Sequence, residues 1–249
     1  MARLQRLPGA AFAAHSSMAV VAGVAQALSL AWPWNGAPQW WLQIVSLAVL
    51  AWLVRAPTPW RRAVWLGWAF ATAWLAATFW WLFISMHTYG GLAAPLASAA
   101  VLGLAAFLGT YYAVALGLFA RLAPTHRALA AIVFAALWLL AELARGTLWT
   151  GFPWGAGGYA HVQGPLSALA RTVGVYGVGF VAAVLAMLLA QARTRDLRSL
   201  RAWALVAGGA LVLVGAGLQR QCAIESCHTP ARQPSAPISL ALLQGNIPQ

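Results

Sequence analysis

Residues 93–120 read AAPLASAAVLGLAAFLGTYYAVALGLFA, a run of 28 residues without a charged side chain. The hydrocarbon core of a bilayer is about 30 Å thick, and about 20 helical residues cross it. This run is therefore long enough to span a membrane as a single helix. Its additional length implies that the helix is tilted or extends beyond the membrane.

The rest of the chain has the same apolar character, since 62% of its 249 residues are hydrophobic and only 7% are charged. Soluble domains contain roughly a quarter charged residues, and a soluble fold of this size could not bury so much apolar surface in one core. Fifteen Trp residues agree with a membrane location, because indole rings favour the bilayer–water boundary. We therefore predict an all-α membrane protein, a bundle of about seven transmembrane helices at residues 10–30, 38–54, 63–84, 93–120, 128–145, 173–190 and 202–218.

The distribution of the fifteen basic residues, all of them Arg, predicts the orientation of the bundle. Loops rich in Arg stay in the cytoplasm. Because the N-terminus and alternate loops carry most of the arginines, we expect a cytoplasmic N-terminus and, after seven crossings, a C-terminal end outside. The arginines form no stripe with interleaved aromatic residues, so the net charge of +12 does not indicate nucleic-acid binding. The arginines on the predicted inner side are Arg3, Arg6, Arg55, Arg61, Arg62, Arg121, Arg127, Arg193, Arg195, Arg198 and Arg201.

The predicted outer loops contain the residues that suggest function. The fifth span ends in ELARG (142–146), and the sequence TGFPW (150–154) follows. Glu142 and Arg145 are three residues apart, so they lie on one helical face. Charges within a span are costly and usually face the bundle interior. Two interpretations stay open: a polar niche that orients a lipid headgroup or the outer loop, and a structural ion pair that fixes how helix and loop pack.

His87 follows the third span in the sequence SMHTYGG (85–91). It either binds a headgroup phosphate or shuttles a proton, or it hydrogen-bonds the loop backbone while the two glycines supply the turn. The remaining histidines are scattered and show no metal-ligand spacing, so we predict no metal site and no cofactor. Cys222 and Cys227 lack the rigid frame that a nucleophile needs, and we expect a local disulfide or two idle thiols.

The character of the chain changes after the predicted transmembrane domain, residues 1–218. Residues 219–237 are polar and contain Pro, which is typical of a linker, here on the outer side and therefore periplasmic if the chain is bacterial, as the resemblance described below implies. The sequence ISLALL (238–243) is typical of a buried strand, and QGNIPQ (244–249) follows as a turn. A single strand does not fold alone, so we expect residues 238–249 to begin a second domain that this sequence does not complete.

Four segments in this order resemble the apolipoprotein N-acyltransferases, bacterial enzymes that add the third acyl chain to lipoproteins. They are residues 80–91 with SMHTYGG, residues 142–154 with ELARG and TGFPW, residues 157–165 (GGYAHVQGP), and residues 241–249 with LLQGNIPQ. The last segment, placed after a seventh span, is the most specific of the four.

The resemblance implies a membrane bundle followed by a periplasmic nitrilase-like domain, in the bacterial inner membrane. The implied substrates are a phospholipid acyl donor and a diacylglyceryl lipoprotein acceptor, and the chemistry runs through a cysteine thioester with a Glu base and a Lys. These catalytic residues are expected beyond Gln249, because the chain contains no Lys and neither Cys222 nor Cys227 matches the nucleophile. No residue of this sequence therefore inherits a catalytic role.

The resemblance gives the membrane part a scaffold or substrate-binding role. The candidate residues for that role are His87, Glu142, Arg145, Thr150, Phe152, Pro153, Trp154 and Tyr159. A small-molecule transporter and a non-catalytic membrane scaffold remain as alternatives. A transporter usually places ionisable groups near the bilayer midplane, whereas Glu142 lies towards the outer end of its span.

Overall fold

The computed structural model describes residues 9–55, 58–122 and 124–192. These residues form helices and loops and contain no β-strand, which confirms an all-α fold for this part of the chain. The α-helices within these ranges are α1 (Gly9–Leu30), α2 (Trp40–Val54), α3 (Trp60–Thr78), α4 (Trp80–Ile84), α5 (Ala94–Leu122), α6 (Arg127–Thr147) and α7 (Ala170–Ala190).

The first six predicted spans coincide with helices, but fewer than six meet the requirements of a full membrane crossing. In the described ranges, four helices are long and apolar enough, and a bent pair, α3 with α4, makes a fifth. The predicted second span is the 15-residue α2, which at about 22 Å is shorter than the hydrocarbon core. The predicted seventh span (202–218), the linker, both cysteines and the predicted strand lie outside the described residues.

The third span, predicted as one helix over residues 63–84, is broken after Thr78. The α3 axis and the following segment Trp80–Tyr89 differ in direction by 52°. The Thr78 hydroxyl donates a hydrogen bond of 2.8 Å to the Trp74 carbonyl, and back-bonding of this kind bends helices. Phe79 between the two helices has φ −98° and ψ 15°, and the segment ends in a wide π-helical turn at Ser85–Tyr89. A hydropathy pattern does not reveal such a break, because both halves are equally apolar.

Neighbouring helices follow one another around the bundle in the order α1, α3, α5, α6, α7 and α2, and α2 contacts α1 again. Small residues allow the closest approach, between α3 and α5. A Cβ atom on Gly109 would lie 2.8 Å from the Thr72 hydroxyl, and one on Gly67 would lie 2.8 Å from Leu116 Cδ1. Close packing at small residues is how membrane helices associate without a hydrophobic driving force.

The middle of the bundle is filled by aromatic side chains from α3, α5 and α6. Trp74 stacks on Trp138 with ring centres 5.7 Å apart, and the Tyr112 ring lies 4.8 Å from Trp138. Phe70 and Phe134 extend the same cluster, and all five side chains are fully buried. This aromatic layer closes the bundle beneath the loops that carry the candidate functional residues.

The two ends of the bundle differ in charge. At one end, which we call the arginine end, Arg55 donates to the Ala190 carbonyl (3.0 Å), Arg127 bonds to the Gln191 carbonyl, and Arg121 lies over the Trp60 ring. At the opposite end, which we call the loop end, α1 joins α2, the α4 segment joins α5, and α6 joins α7. Among the described loops, those rich in Arg lie at one end and those poor in Arg lie at the other. Their alternation along the sequence is expected when neighbouring helices are antiparallel.

Candidate functional site

A cluster of buried polar side chains lies at the loop end of the bundle. It consists of five residues from four elements, each at most 1% exposed, and we call it the buried polar niche: Gln26, Gln43, Glu142, Arg145 and His161. Gln26 belongs to α1, Gln43 to α2, and Glu142 and Arg145 to α6. His161 ends a short 3₁₀ turn, Gly157–His161, in the loop between α6 and α7.

Glu142 binds the backbone of this loop. Its Oε1 atom accepts a hydrogen bond of 2.9 Å from the Gly157 N–H, across fifteen residues of chain. The backbone must approach closely here, because a Cβ atom on Gly157 would lie 3.2 Å from the amide nitrogens of both Gln26 and Gln43. Because residue 157 is a glycine, the loop backbone can lie against the side chains of the buried polar niche.

Arg145 holds the loop at a second place. Its Nη1 atom donates to the Phe152 carbonyl (2.5 Å) and to the Trp154 carbonyl (2.7 Å), and its Nε atom donates to the Tyr112 hydroxyl (3.0 Å). The Phe152 N–H in turn donates to the Arg145 carbonyl at 2.8 Å. A planar guanidinium suits this task, because its fixed fork of donors satisfies several buried oxygens at once.

Glu142 and Arg145 share the buried face of α6 that their spacing predicts, but no hydrogen bond joins their side chains. Glu142 Oε2 and Arg145 Nη2 have no hydrogen-bond partner among the described residues. Each side chain instead binds backbone atoms of the loop between α6 and α7. Both side chains therefore join α6 to this loop, and a direct ion pair between them is not present.

His161 completes the niche from the loop side. Its Nε2 atom lies 3.2 Å from Gln43 Oε1, so the ring donates from Nε2 and leaves Nδ1 without a partner. Burial lowers the pKa of His161 from 6.5 to about 4, because the charged imidazolium loses its hydration. His161 is therefore neutral at physiological pH. It also lines a cavity of about 240 Å³ together with Tyr159, Val162, Ser167, Val175 and Val178.

The candidate residues of the TGFPW segment form a tight turn above α6. Trp149 and Thr150 adopt left-handed backbone conformations, with φ of 53° and 74°. Gly151 follows with φ of 75°, and a Cβ atom there would lie 2.1 Å from the Gly146 carbonyl oxygen. The Phe152 ring packs edge-on against Phe79 with centres 4.8 Å apart, whereas the Pro153 side chain is exposed. This turn therefore connects the end of α6 with the bend after α3.

The other candidates lie at the same end but outside the niche. The His87 Nδ1 atom lies 2.8 Å from the Leu92 carbonyl, and its ring packs against Phe83. His87 thus bonds the loop backbone while its side chain stays exposed. Thr150 and Tyr159 are also exposed, and Trp154 is 56% exposed although its carbonyl is bound by Arg145.

The sequence analysis did not predict that Gln26, Gln43 and His161 belong to this site. A signal was available for the two glutamines, because each is a polar residue inside a long apolar run, where polar groups usually face the bundle interior.

No group of three or more His, Cys, Asp or Glu that would hold a metal ion occurs within residues 9–55, 58–122 and 124–192. A larger cavity of about 590 Å³ lies at the arginine end, away from the niche, and its lining includes Arg55 and Arg127.

Comparison with known proteins identifies the family. A family model for the apolipoprotein N-acyltransferase N-terminal domain matches residues 22–188. The apolipoprotein N-acyltransferase of Verminephrobacter eiseniae is 63% identical over 238 residues, which cover 93% of this chain and 44% of that protein. The enzyme of the same name from Ralstonia nicotianae is 48% identical over 215 residues, covering 84% of this chain and 39% of that protein.

A third relative, from Pseudomonas putida, is also named apolipoprotein N-acyltransferase and is 38% identical over 235 residues, covering 93% of this chain and 44% of its own length. The chain therefore spans less than half the length of these relatives. The matched residues include the last nine residues of α1, the whole of α2 to α6, most of α7, and all five residues of the buried polar niche. The chain accordingly belongs to the apolipoprotein N-acyltransferase family and contains the N-terminal domain of that family.

Proposed function

We propose that this chain forms the membrane-embedded part of an enzyme that transfers an acyl chain from a phospholipid to the N-terminal diacylglyceryl-cysteine of a lipoprotein. The observation that supports this function best is the double attachment of the outer loop to α6. Glu142 and Arg145 bind the loop backbone at Gly157, Phe152 and Trp154 inside an apolar bundle. Both substrates carry acyl tails in the membrane, so the reaction needs a fixed platform at the membrane surface.

In this proposal the chain positions the reaction and does not supply its reacting groups. The expected chemistry uses a cysteine thioester, a Glu base and a Lys. The 249 residues contain no Lys, and Glu142, the one acidic residue of the described ranges, is buried against Gly157. Phe152, Pro153 and Trp154 act with Glu142 and Arg145 as scaffold. His87, Thr150 and Tyr159, whose side chains are exposed at the loop end, are the candidates for contact with a substrate headgroup.

We further propose that the protein lies in the bacterial inner membrane with its arginine end in the cytoplasm and its loop end in the periplasm. The grouping of Arg55, Arg61, Arg62, Arg121 and Arg127 at one end supports this orientation, because positively charged loops remain in the cytoplasm. Lipoproteins and the outer-leaflet phospholipid would then both meet the loop end.

The packing of the bundle argues against the alternative of a transporter. Transport requires a polar path or a water-filled cavity through the membrane. Beneath the buried polar niche, the described bundle is filled by Trp74, Trp138 and Tyr112, all fully buried. The niche is therefore a closed structural cluster at one end and does not continue along the axis.

A fusion protein tests whether this chain positions the reaction while another part of the enzyme supplies the reacting groups. Residues 1–249 would be joined to the part of the Verminephrobacter eiseniae relative that follows the matched segment, and expressed in a bacterium whose own N-acyltransferase is depleted. Mass spectrometry of a lipoprotein N-terminal peptide then counts its acyl chains. We expect a third acyl chain with the fusion and none with residues 1–249 alone at the same membrane level.

Two results would contradict the proposal. Acylation by residues 1–249 alone would show that the reacting groups lie within this chain. A fusion that inserts into the membrane at normal levels but leaves the lipoprotein without the third chain would show that this domain does not serve acyl transfer.

A further inference from the structure

The loop between α6 and α7 exposes large apolar side chains although it lies outside the helices. Residues 147–170 contain no Asp, Glu, Lys or Arg. Within them, Trp149 is 82% exposed, Val162 63% and Trp154 56%, and Leu148 and Tyr159 are about half exposed. Large exposed apolar side chains grouped within one uncharged loop indicate an interaction site.

The exposure of Trp149 is built into a strained turn. Trp149 and Thr150 are consecutive non-glycine residues with φ of 53° and 74°. Left-handed backbone costs such residues about 1–2 kcal/mol each, so the surrounding structure must hold them. The Arg145 bonds to Phe152 and Trp154, together with the Gly151 N–H bond to the Leu148 carbonyl, provide that support. The turn thus lowers the stability of the fold and directs the Trp149 indole outward.

Exposed apolar side chains also line one face of α6, the helix that leads into the loop. Leu129, Ile132, Leu140 and Leu143 are exposed along α6 at spacings of three, eight and three residues, which places them on one face of the helix. Leu148 and Trp149 follow directly beyond the end of α6, and they are exposed as well. An indole ring with its apolar body and polar N–H suits the headgroup boundary at which a lipid-facing helix ends.

We propose that the loop over residues 147–170 lies within the interfacial layer of the outer leaflet, where it contacts phospholipid, and that Trp149 is its principal anchor. This inference requires that the bundle spans a membrane, takes its orientation from the proposed function, and does not depend on the acyl-transfer reaction. The ester bonds of a phospholipid lie at the same depth. A loop held there by Glu142 and Arg145 would place the exposed groups of Thr150 and Tyr159 beside the bond that an acyl transfer must break.

The depth of Trp149 can be measured by fluorine NMR on the full chain labelled with fluorotryptophan. The protein would be placed in nanodiscs of phosphatidylethanolamine and phosphatidylglycerol. The resonance that disappears in the Trp149→Phe variant belongs to Trp149. Two paramagnetic probes are compared: a phosphatidylcholine spin-labelled next to its headgroup, and a water-soluble gadolinium chelate. The resonances of Trp74 and Trp138, identified through their own Phe variants, are controls for fully buried rings.

We expect the lipid probe to remove most of the Trp149 signal and the soluble chelate to remove clearly less, while the two control signals survive both probes. A Trp149 signal lost mainly to the soluble chelate would mean that the ring lies in water, and would overturn the proposal. A signal that survives both probes would mean that protein covers the ring, and would overturn it equally. None of these outcomes depends on acyl-transfer activity. A result that overturns the membrane contact of Trp149 is therefore distinguishable from one that overturns the proposed function.

Discussion

Replacing Arg145 by Met removes the guanidinium that holds the loop between α6 and α7 while keeping a long, flexible side chain. Three hydrogen bonds are lost, to the Phe152 carbonyl, the Trp154 carbonyl and the Tyr112 hydroxyl. Hydrogen bonds to a charged group contribute about 1.5–3 kcal/mol each, but two of these share one nitrogen and do not add fully. Removing one member of a buried charged set typically costs about 3–5 kcal/mol, and we take that range for Arg145→Met.

The cost is measurable as a change in the thermal unfolding midpoint of the detergent-solubilised protein. For a chain of this size 1 kcal/mol corresponds to roughly 2–4 °C, so Arg145→Met should unfold roughly 6–20 °C below the wild type. Arg171→Met is the matched control, because Arg171 lies exposed in the first turn of α7 and an exposed substitution changes stability by about 0.5 kcal/mol or less. An Arg145→Met midpoint within roughly 2 °C of the Arg171→Met midpoint would refute the view that Arg145 secures the loop.

Three further predictions concern the niche and the turn. In the same melting assay, Gly151→Ala should destabilise the protein by at least about 2 kcal/mol more than Gly36→Ala. Both glycines have φ near 70°, but only at Gly151 would the added Cβ atom lie 2.1 Å from a backbone oxygen. Equal losses of stability would show that this clash does not occur. Glu142→Leu should be less stable than Glu142→Gln by about 1–3 kcal/mol, since Gln still accepts from the Gly157 N–H; the reverse order would show that this bond contributes little. Because the pKa of His161 is lowered to about 4, its contribution to stability is complete above pH 6.5 and is lost as the pH falls towards 4, by up to roughly 3 kcal/mol. The His161→Gln variant should lose that part of the pH dependence, and melting curves that retain it would assign it to another group.

The apolar runs predicted the helices well because lipid leaves the backbone few alternatives. In a bilayer every N–H and C=O must be satisfied within the segment, so a run such as residues 93–120 becomes helix with bounds close to those of α5, Ala94–Leu122. The Arg pattern likewise predicted which loops share an end. The break at Thr78 was not predictable in this way, since it depends on a side-chain hydrogen bond to the Trp74 carbonyl within an apolar segment.

The candidate site was predictable only in part. The spacing of Glu142 and Arg145 predicts a shared buried face, and the structure has both fully buried. Their partners depend on where a loop of some twenty residues folds, so the spacing could not distinguish an ion pair from two bonds to loop backbone. Gln43 and His161 are 118 residues apart in sequence and meet only because α2 packs beside the loop end. The left-handed pair Trp149 and Thr150 has no sequence signature, because neither residue type favours that backbone.

In the proposed function, the loop between α6 and α7, fixed by Arg145, makes this domain competent to support lipoprotein acylation. The direct test counts acyl chains on a lipoprotein N-terminus by mass spectrometry, using the fusion of residues 1–249 with the rest of the Verminephrobacter eiseniae relative. At matched membrane levels, the fusion with Arg171→Met should yield the triacylated product, and the fusion with Arg145→Met should leave most of the lipoprotein diacylated. Equal triacylation by both variants would contradict the claim.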